Sequence, residues 1–331
     1  MKIDEEKDVL IIGAGPAGLS AGLELVRKGI KVLIIDKKKI IGKPLKCGEL
    51  TRSFIFEILD IKNSEKFIRR KYYLPPTDVV INRFEFENFL AEEIKKKGGK
   101  IVTQTVADEF LRRGKEVIIG VLNKGNRYYI KTKILILSEG VEAYLSRKIP
   151  FDVFLRPKDF ASCYGGIVDN IKVPNPNRIY IIRDRRLYPG YFWVFPHSYN
   201  SANIGLGVLG TDGKSAKKLF KTLVSEIEWL KQGKIQEEIV GCISVSKPVE
   251  KPYADNVLLT GGAARFVNSV SGEGIYQAIF SGKKAAEVAY TALMEKEYSE
   301  NLLKAYRDNI REIYPELIEG FLKKERLIGA I

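Results

Sequence analysis

Three cysteines, one histidine and two tryptophans are few for a chain of 331 residues, and each scarcity removes a class of chemistry. Cys47, Cys163 and Cys242 do not form a disulfide framework, and no two of them stand at a metal-binding spacing. His197 is the only histidine, so neither a histidine-built metal site nor a Ser-His-Asp triad is expected, and no metal is assigned. Long hydrophobic runs are missing too. The most apolar stretch, 9–25, is too short to cross a bilayer, holds Gly13, Gly15, Pro16, Gly18 and Gly22, and carries Glu24. A strand and a helix sharing a glycine turn account for it better. Residues 1–7 are charged and lead straight into a strand, so no signal peptide is expected, and the free thiols suit the cytoplasm. There is no internal repeat and no low-complexity linker.

What is present is a globular composition. Hydrophobic residues make up 45% and charged residues 29%, in a length that suits one large or two medium domains. Net charge is +14. The lysines are scattered over helix faces and no long basic run is interleaved with aromatics, so nucleic acid is not an expected partner. Two uses for the excess remain: a solvated Lys/Glu-rich surface of the kind hot-growing organisms favour, or attraction to anionic lipid, which would place the protein peripherally at the inner face of a membrane.

Hydrophobic periodicity predicts a strand over 8–12, a helix over 17–28 ending at Gly29, and a strand over 31–35, a βαβ unit. A helix is predicted over 84–97, where Phe86, Phe89, Leu90 and Ile94 recur at helical spacing and Gly98-Gly99 stops it. Strands follow at 101–105, 116–122, 128–131 and 134–137. From 160 to 207 the pattern alternates and is rich in aromatics, as in an antiparallel sheet. An amphipathic helix is expected over 214–231, a buried strand over 257–260, and a long helix over 274–294.

The chemistry sits in the connections. Gly13-Ala14-Gly15-Pro16-Ala17-Gly18 follows a strand and opens a helix, the context a dinucleotide fingerprint requires. Gly13 permits the tight turn, Gly15 lets the backbone approach a pyrophosphate, and Gly18 lets helix and strand pack closely. Asp36 closes the second strand, 18 residues after Gly18, where a carboxylate can bind ribose hydroxyls. A second glycine-rich segment, 256–287, lies near the other end of the chain. NAD does not need it; an extended FAD does, because its ribityl chain and flavin lie far from the adenine. There Gly272-Glu273-Gly274 opens a helix whose positive end can face the flavin edge that becomes anionic on reduction. Arg83, just ahead of a helix, can serve a phosphate or the adenosine side. Along 191–196, Tyr191, Trp193 and Phe195 share one strand face, with Phe192 and Val194 on the other. Such an aromatic face suits a long apolar chain, or equally an ordinary core.

These motifs resemble the FAD-dependent geranylgeranyl reductase family, within the p-hydroxybenzoate-hydroxylase-like flavoproteins, and in style the archaeal digeranylgeranylglycerophospholipid reductases. The resemblance covers about 8–289. It rests on Gly13, Gly15 and Gly18; on a C-G-E loop at Cys47-Gly48-Glu49; on Arg83; on Glu139-Gly140 with Arg147 after it; on YxWxFP at Tyr191, Trp193, Phe195 and Pro196; and on a late loop at Gly261, Ala263, Ala264 and Gly272 to Ile275. It implies an α/β (α+β) fold: a Rossmann-like FAD-binding domain (1–58, 78–148 and 251–295), an inserted antiparallel-sheet substrate domain (59–77 and 149–250) and a helical tail (296–331). It implies FAD held by Gly13, Gly15, Ala17, Gly18, Asp36, Lys37, Cys47, Gly48, Arg83, Val106, Glu139, Gly140, Gly261, Gly262, Gly272, Gly274 and Ile275. Substrate is expected at Tyr191, Trp193, Phe195 and Pro196, and catalytic roles at Cys47, Tyr191 and Trp193.

The implied reaction is hydride transfer from reduced FAD to an isoprenoid double bond, followed by a proton from Tyr191, Cys47 or a water. An isoprenoid or prenyl lipid is the expected substrate. The electron donor is external, ferredoxin or NAD(P)H, since no second nucleotide fingerprint or cysteine cluster is seen. Four positions depart from the family pattern. Gly262 replaces an aspartate that bonds the ribityl chain, Arg265 replaces a small residue, Ala143 a serine and Tyr188 a proline. A missing charge-assisted bond costs about 1.5–3 kcal/mol, roughly ten- to a hundred-fold in affinity, which Arg265 could offset by reaching a phosphate. Two other readings stay open. One is a flavin monooxygenase or halogenase, whose aromatic-x-Trp-x-aliphatic-Pro strand 191–196 also resembles. The other is a non-enzymatic lipid-binding paralogue with weak or no FAD.

Overall fold

The computed structural model describes residues 3–72, 78–213 and 215–329. Residues 73–77, in the expected substrate domain, and Lys214, the expected start of a helix, lie outside the described residues.

The main sheet has a parallel centre. Strands Val257–Leu259, Asn126–Leu137, Glu5–Ile12, Val32–Ile35 and Lys100–Val102 lie side by side in that order. Val9, Leu10, Ile11, Leu33, Ile34 and Ile134–Leu137 are at most 1% exposed, which explains why these strands are unbroken apolar runs rather than alternating ones. Helix Pro16–Arg27 packs closely against the long helix Ile275–Glu295, so the glycine segments at the two ends of the chain meet. A Cβ on Gly282 would stand 2.1 Å from the Ala17 carbonyl oxygen, which is how closely these helices approach.

Two expected strands, 128–131 and 134–137, are one. Asn126–Leu137 pairs antiparallel with Glu116–Asn123 along its first half and parallel with Glu5–Ile12 along its second. Thr132 and Lys133, which read as a break, sit where one edge changes partner from Glu116–Asn123 to Val257–Leu259, and the Thr132 hydroxyl donates to the Ile134 carbonyl at 2.8 Å. Strand Thr105–Arg113 and strand Lys234–Ser244 were not anticipated; each has only two buried residues and carries charged ones.

The inserted domain is a five-stranded antiparallel sheet in the order Tyr180–Ile182, Tyr191–Pro196, Ser201–Leu209, Phe160–Asp169, Lys234–Ser244. Helix Ala216–Glu226 covers one face, burying Phe192, Val194, Ile204 and Leu206 against Phe220 and Leu223. The opposite face carries Trp193 and Phe195, which pack with Tyr72 and Val80. Val80 belongs to a small sheet in which Val79–Ile81 pairs with both Leu50–Thr51 and Ile68–Lys71. The expected domain boundaries at 59 and 77 therefore fall within a unit that wedges between the two larger sheets. The segment read as a charged tail is helical, but its apolar side belongs to the main core: Leu303, Tyr306, Ile310 and Leu317 are at most 1% exposed.

Candidate FAD and prenyl-substrate site

At the fingerprint, Gly13 has φ 106°, and a Cβ there would lie 2.2 Å from the Ser138 carbonyl oxygen, so only glycine serves. Gly15 is the residue before the helix, and a Cβ on it would meet nothing within 4 Å. That open space before the N-terminus of a 12-residue helix is what a pyrophosphate requires. Asp36 is buried; its Oδ2 accepts from the Ala14 amide and its Oδ1 from the Lys38 amide, both at 2.7 Å. Each oxygen keeps a further lone pair for a ribose hydroxyl. Ala17 lies in the first turn of the helix. Val106 stands 39% exposed on strand Thr105–Arg113, the strand that follows Asp36 and Lys100–Val102 around the sheet edge.

Several charged side chains expected at the cofactor are committed elsewhere. Lys37 pairs with Glu142. The Glu139 carboxylate accepts from the Leu145 amide at 2.7 Å and from the Ser146 amide and hydroxyl at 2.9 and 2.5 Å, leaving the Ser138–Gly140 backbone as the part facing Gly13. The Arg83 guanidinium binds Glu87, one helical turn on, and faces the Cys47 sulfur. Burial works against its charge, but Glu87 and Cys47 outweigh burial and hold it protonated. Arg265 donates to the Phe154 carbonyl at 2.6 Å and lies 3.6 Å from Asp152, so its end is occupied by the 152–154 segment rather than free for a phosphate.

At the expected flavin end lies a cavity of about 550 Å³. One wall is the face of Tyr191, Trp193 and Phe195; the others include Cys47-Gly48, Gly272–Ile275 and Leu327 of the C-terminal helix Tyr314–Leu327. Pro196 ends the aromatic strand, and its carbonyl accepts from the Tyr72 hydroxyl at 2.6 Å. A Cβ on Gly48 would come within 2.8 Å of the Phe195 ring, and one on Gly205 within 2.3 Å of the Trp193 ring, so both glycines make room for the aromatic face. Glu273 turns its carboxylate to Arg52, which grips it through two hydrogen bonds of 2.8 Å and also binds Glu316. This buried pair anchors the loop that presents Gly272 and Gly274 at the start of helix Ile275–Glu295. Gln277, in the first turn of that helix, is fully buried with no partner for either polar atom among the described residues.

The candidate catalytic groups are linked. The Tyr191 hydroxyl donates to the Ser271 carbonyl at 2.5 Å, and burial pushes its pKa well above the ordinary phenol value. The Cys47 sulfur accepts from the Glu49 amide at 3.2 Å. Asn203, fully buried, accepts from the Trp193 indole at 3.0 Å and donates to the Cys47 carbonyl at 3.0 Å. Sequence reasoning missed Asn203, because a single polar residue in an alternating strand carries no periodic signal. It also missed Cys163, whose thiol lines the cavity with its pKa pushed up to about 12 by burial, and Leu327 from the supposed tail. Glu49, part of the C-G-E loop, is buried beside Arg69 and Asn203, and burial raises its pKa. Burial, with Arg69 and Arg70, lowers the His197 pKa to about 3, which leaves the imidazole neutral.

Gly262 lies in the short turn Gly261–Ala264, packed against Gly140 and Val141. A Cβ there would stand 3.3 Å from the Gly140 Cα. The open fingerprint, the acid at Asp36 and the cavity at Gly272–Ile275 together fit an extended FAD.

Comparison with known proteins agrees. A profile for the FAD binding domain matches residues 6–51, and one for the geranylgeranyl reductase catalytic domain matches residues 159–243. A digeranylgeranylglycerophospholipid reductase from Methanosphaera stadtmanae is 31% identical over 92% of this chain and 83% of its own length. Another from Methanocaldococcus jannaschii is 30% identical over 99% and 88%. The solved structure of a geranylgeranyl bacteriochlorophyll reductase-like protein from Thermoplasma acidophilum superposes with a TM-score of 0.91 at 26% identity, covering 98% of this chain and 88% of that one. A flavin-dependent brominase superposes at 0.75 with 19% identity, over 97% and 92%, a likeness of fold alone. On this sequence similarity, resting on a shared FAD fold and a shared catalytic domain, the chain belongs to the digeranylgeranylglycerophospholipid reductases of the geranylgeranyl reductase family.

Proposed function

We propose that this protein saturates carbon–carbon double bonds in the geranylgeranyl chains of an archaeal-type membrane lipid, with FAD as its cofactor. The observation that carries the reading is the cavity in which Tyr191, Trp193 and Phe195 form an apolar wall beside Cys47-Gly48 and Gly272–Ile275. Bound and reduced, FAD supplies a hydride. An isolated alkene has no carbonyl to polarise, so the protein's task is shape, exclusion of water and a placed proton. Trp193 supplies shape, held by Asn203 on one side and seated on Gly205 on the other. Tyr191 is committed to the Ser271 carbonyl and serves to close the wall. Cys47 is the better proton donor. Its sulfur accepts from the Glu49 amide, and Cys47 lines the cavity beside the aromatic wall.

Reducing equivalents come from a separate donor, ferredoxin or a transiently bound nicotinamide. Among the described residues, no helix is long and apolar enough to cross a membrane. The net charge of +14 supports delivery of lipid by peripheral contact with an anionic surface. The test is anaerobic: FAD-loaded protein, dithionite and a geranylgeranyl phospholipid, read by mass spectrometry. The expected result is a gain of two hydrogens per reduced bond, lost on Trp193→Ala and strongly slowed in Cys47→Ser. Turnover that requires oxygen, or no mass gain at all, would sink the reading.

A further inference from the structure

The charges around the cavity are unequally spent. Its acidic lining residues are Glu49, Asp184 and Glu273. Each is matched by a cation that lies outside the lining: Arg69 at 3.7 Å from Glu49, Arg186 at 2.7 Å from Asp184, and Arg52 at 2.8 Å from Glu273. Of the basic lining residues, Lys46 lies 3.7 Å from Glu142. Arg183, Arg185 and Lys323 make no ion pair among the described residues. The unspent charge of the lining is therefore all positive. It also sits in one place. Arg183 and Arg185 are exposed on the loop that leaves the edge strand Tyr180–Ile182, and the bond from the Tyr188 hydroxyl to the Leu327 carbonyl, 2.9 Å, pins that loop to the helix carrying Lys323. Ile181 and Tyr188, 46% and 55% exposed, flank the two arginines on the same rim.

An apolar cavity with a cationic rim matches an amphiphile whose chain goes in and whose anionic end stays out. We propose that Arg183, Arg185 and Lys323 form a phosphate subsite that holds the anionic headgroup of the prenyl-lipid substrate while its chain lies against Trp193 and Phe195. Guanidinium groups suit a phosphate because they present paired N–H donors, and at an exposed rim the attraction is screened by salt. The subsite rests on the reading of the cavity as a prenyl-chain site.

Two substrates separate the proposal from that reading: a geranylgeranyl phospholipid and uncharged geranylgeraniol, each reduced anaerobically with dithionite. In the Arg183→Ala/Arg185→Ala/Lys323→Ala variant, the ratio of KM for the phospholipid to KM for the alcohol should rise about ten-fold, the scale of losing charge-assisted phosphate contacts at an exposed rim. In the parent protein, but not the variant, that ratio should climb with salt, and inorganic phosphate should compete against the phospholipid alone. An unchanged ratio overturns the subsite while leaving the reductase reading intact. Failure of the parent protein to reduce either substrate overturns both. A third arm uses phosphatidylglycerol vesicles without prenyl chains. If the substitutions abolish binding to them while the KM ratio holds, the rim reads bulk surface charge, and the headgroup assignment falls.

Discussion

Gly262 concentrates the residue-scale question. The turn Gly261–Ala264 has a glycine where the family resemblance leads one to expect aspartate, and the nearest atoms to an added Cβ include the Gly140 Cα at 3.3 Å and the Val141 amide nitrogen at 3.4 Å. That is tight but open to relief by a shift of a few tenths of an ångström. Gly262→Asp should therefore tighten FAD binding by about ten-fold, the low end of what one charge-assisted bond provides once the turn has adjusted. Gly262→Ala isolates the steric part and should bind FAD no better than the parent. Flavin fluorescence titration measures both. Equal affinities for all three would mean that this turn does not approach the cofactor. The Arg265 compensation foreseen from sequence is not available, since the guanidinium already serves the Phe154 carbonyl. Sequence shows which residue stands at 265, but a left-handed φ of 61° aims it, and no local pattern announces that.

Between elements, Asn203 is the joint. It lies on the strand next to Tyr191–Pro196 and reaches both the Trp193 indole and the Cys47 carbonyl, so it fixes the aromatic wall to the cysteine loop. Asn203→Leu keeps the volume but removes the partner of the buried Trp193 indole and of the part-buried Cys47 carbonyl, along with a longer contact to Glu49. It should cost about 3 kcal/mol in urea unfolding, at 1–3 kcal/mol for each orphaned group. It should also raise KM for the prenyl substrate. A loss below about 1 kcal/mol would mean that water replaces the amide. The alternation of strand 191–196 was legible because one face is buried under helix Ala216–Glu226 and the other turns to the cavity. Strand Lys234–Ser244 was not legible, because it is an edge strand with far more exposed than buried residues and no clean alternation.

For the whole molecule, the C-terminal segment changes status. Its charged faces read as a tail, yet Leu303, Tyr306 and Ile310 are fully buried in the main core, Tyr314 donates to the Val249 carbonyl at 2.5 Å, and Leu327 lines the cavity. Ending the chain at Met294 should therefore yield protein that fails to fold cooperatively, since several large core side chains, each worth about 2–5 kcal/mol, are removed together. Circular dichroism and urea titration would show it. A stable, FAD-binding truncation would mean that the core closes without these helices.

The sequence by itself determined the parts whose physics is local: the glycine turn before a helix, the acid at a strand end, the alternating aromatic strand, and the scarcity of histidine and cysteine that argues against other chemistries. Tertiary structure decided everything that depends on distance across the chain. It brought the glycine segments at 13–18 and 261–275 together through close-packed helices. It directed Arg265 to Phe154, and it gathered Arg183, Arg185 and Lys323 at one rim. A side chain's partner is set by which segments fold against it, and long-range packing leaves no periodic trace in the sequence.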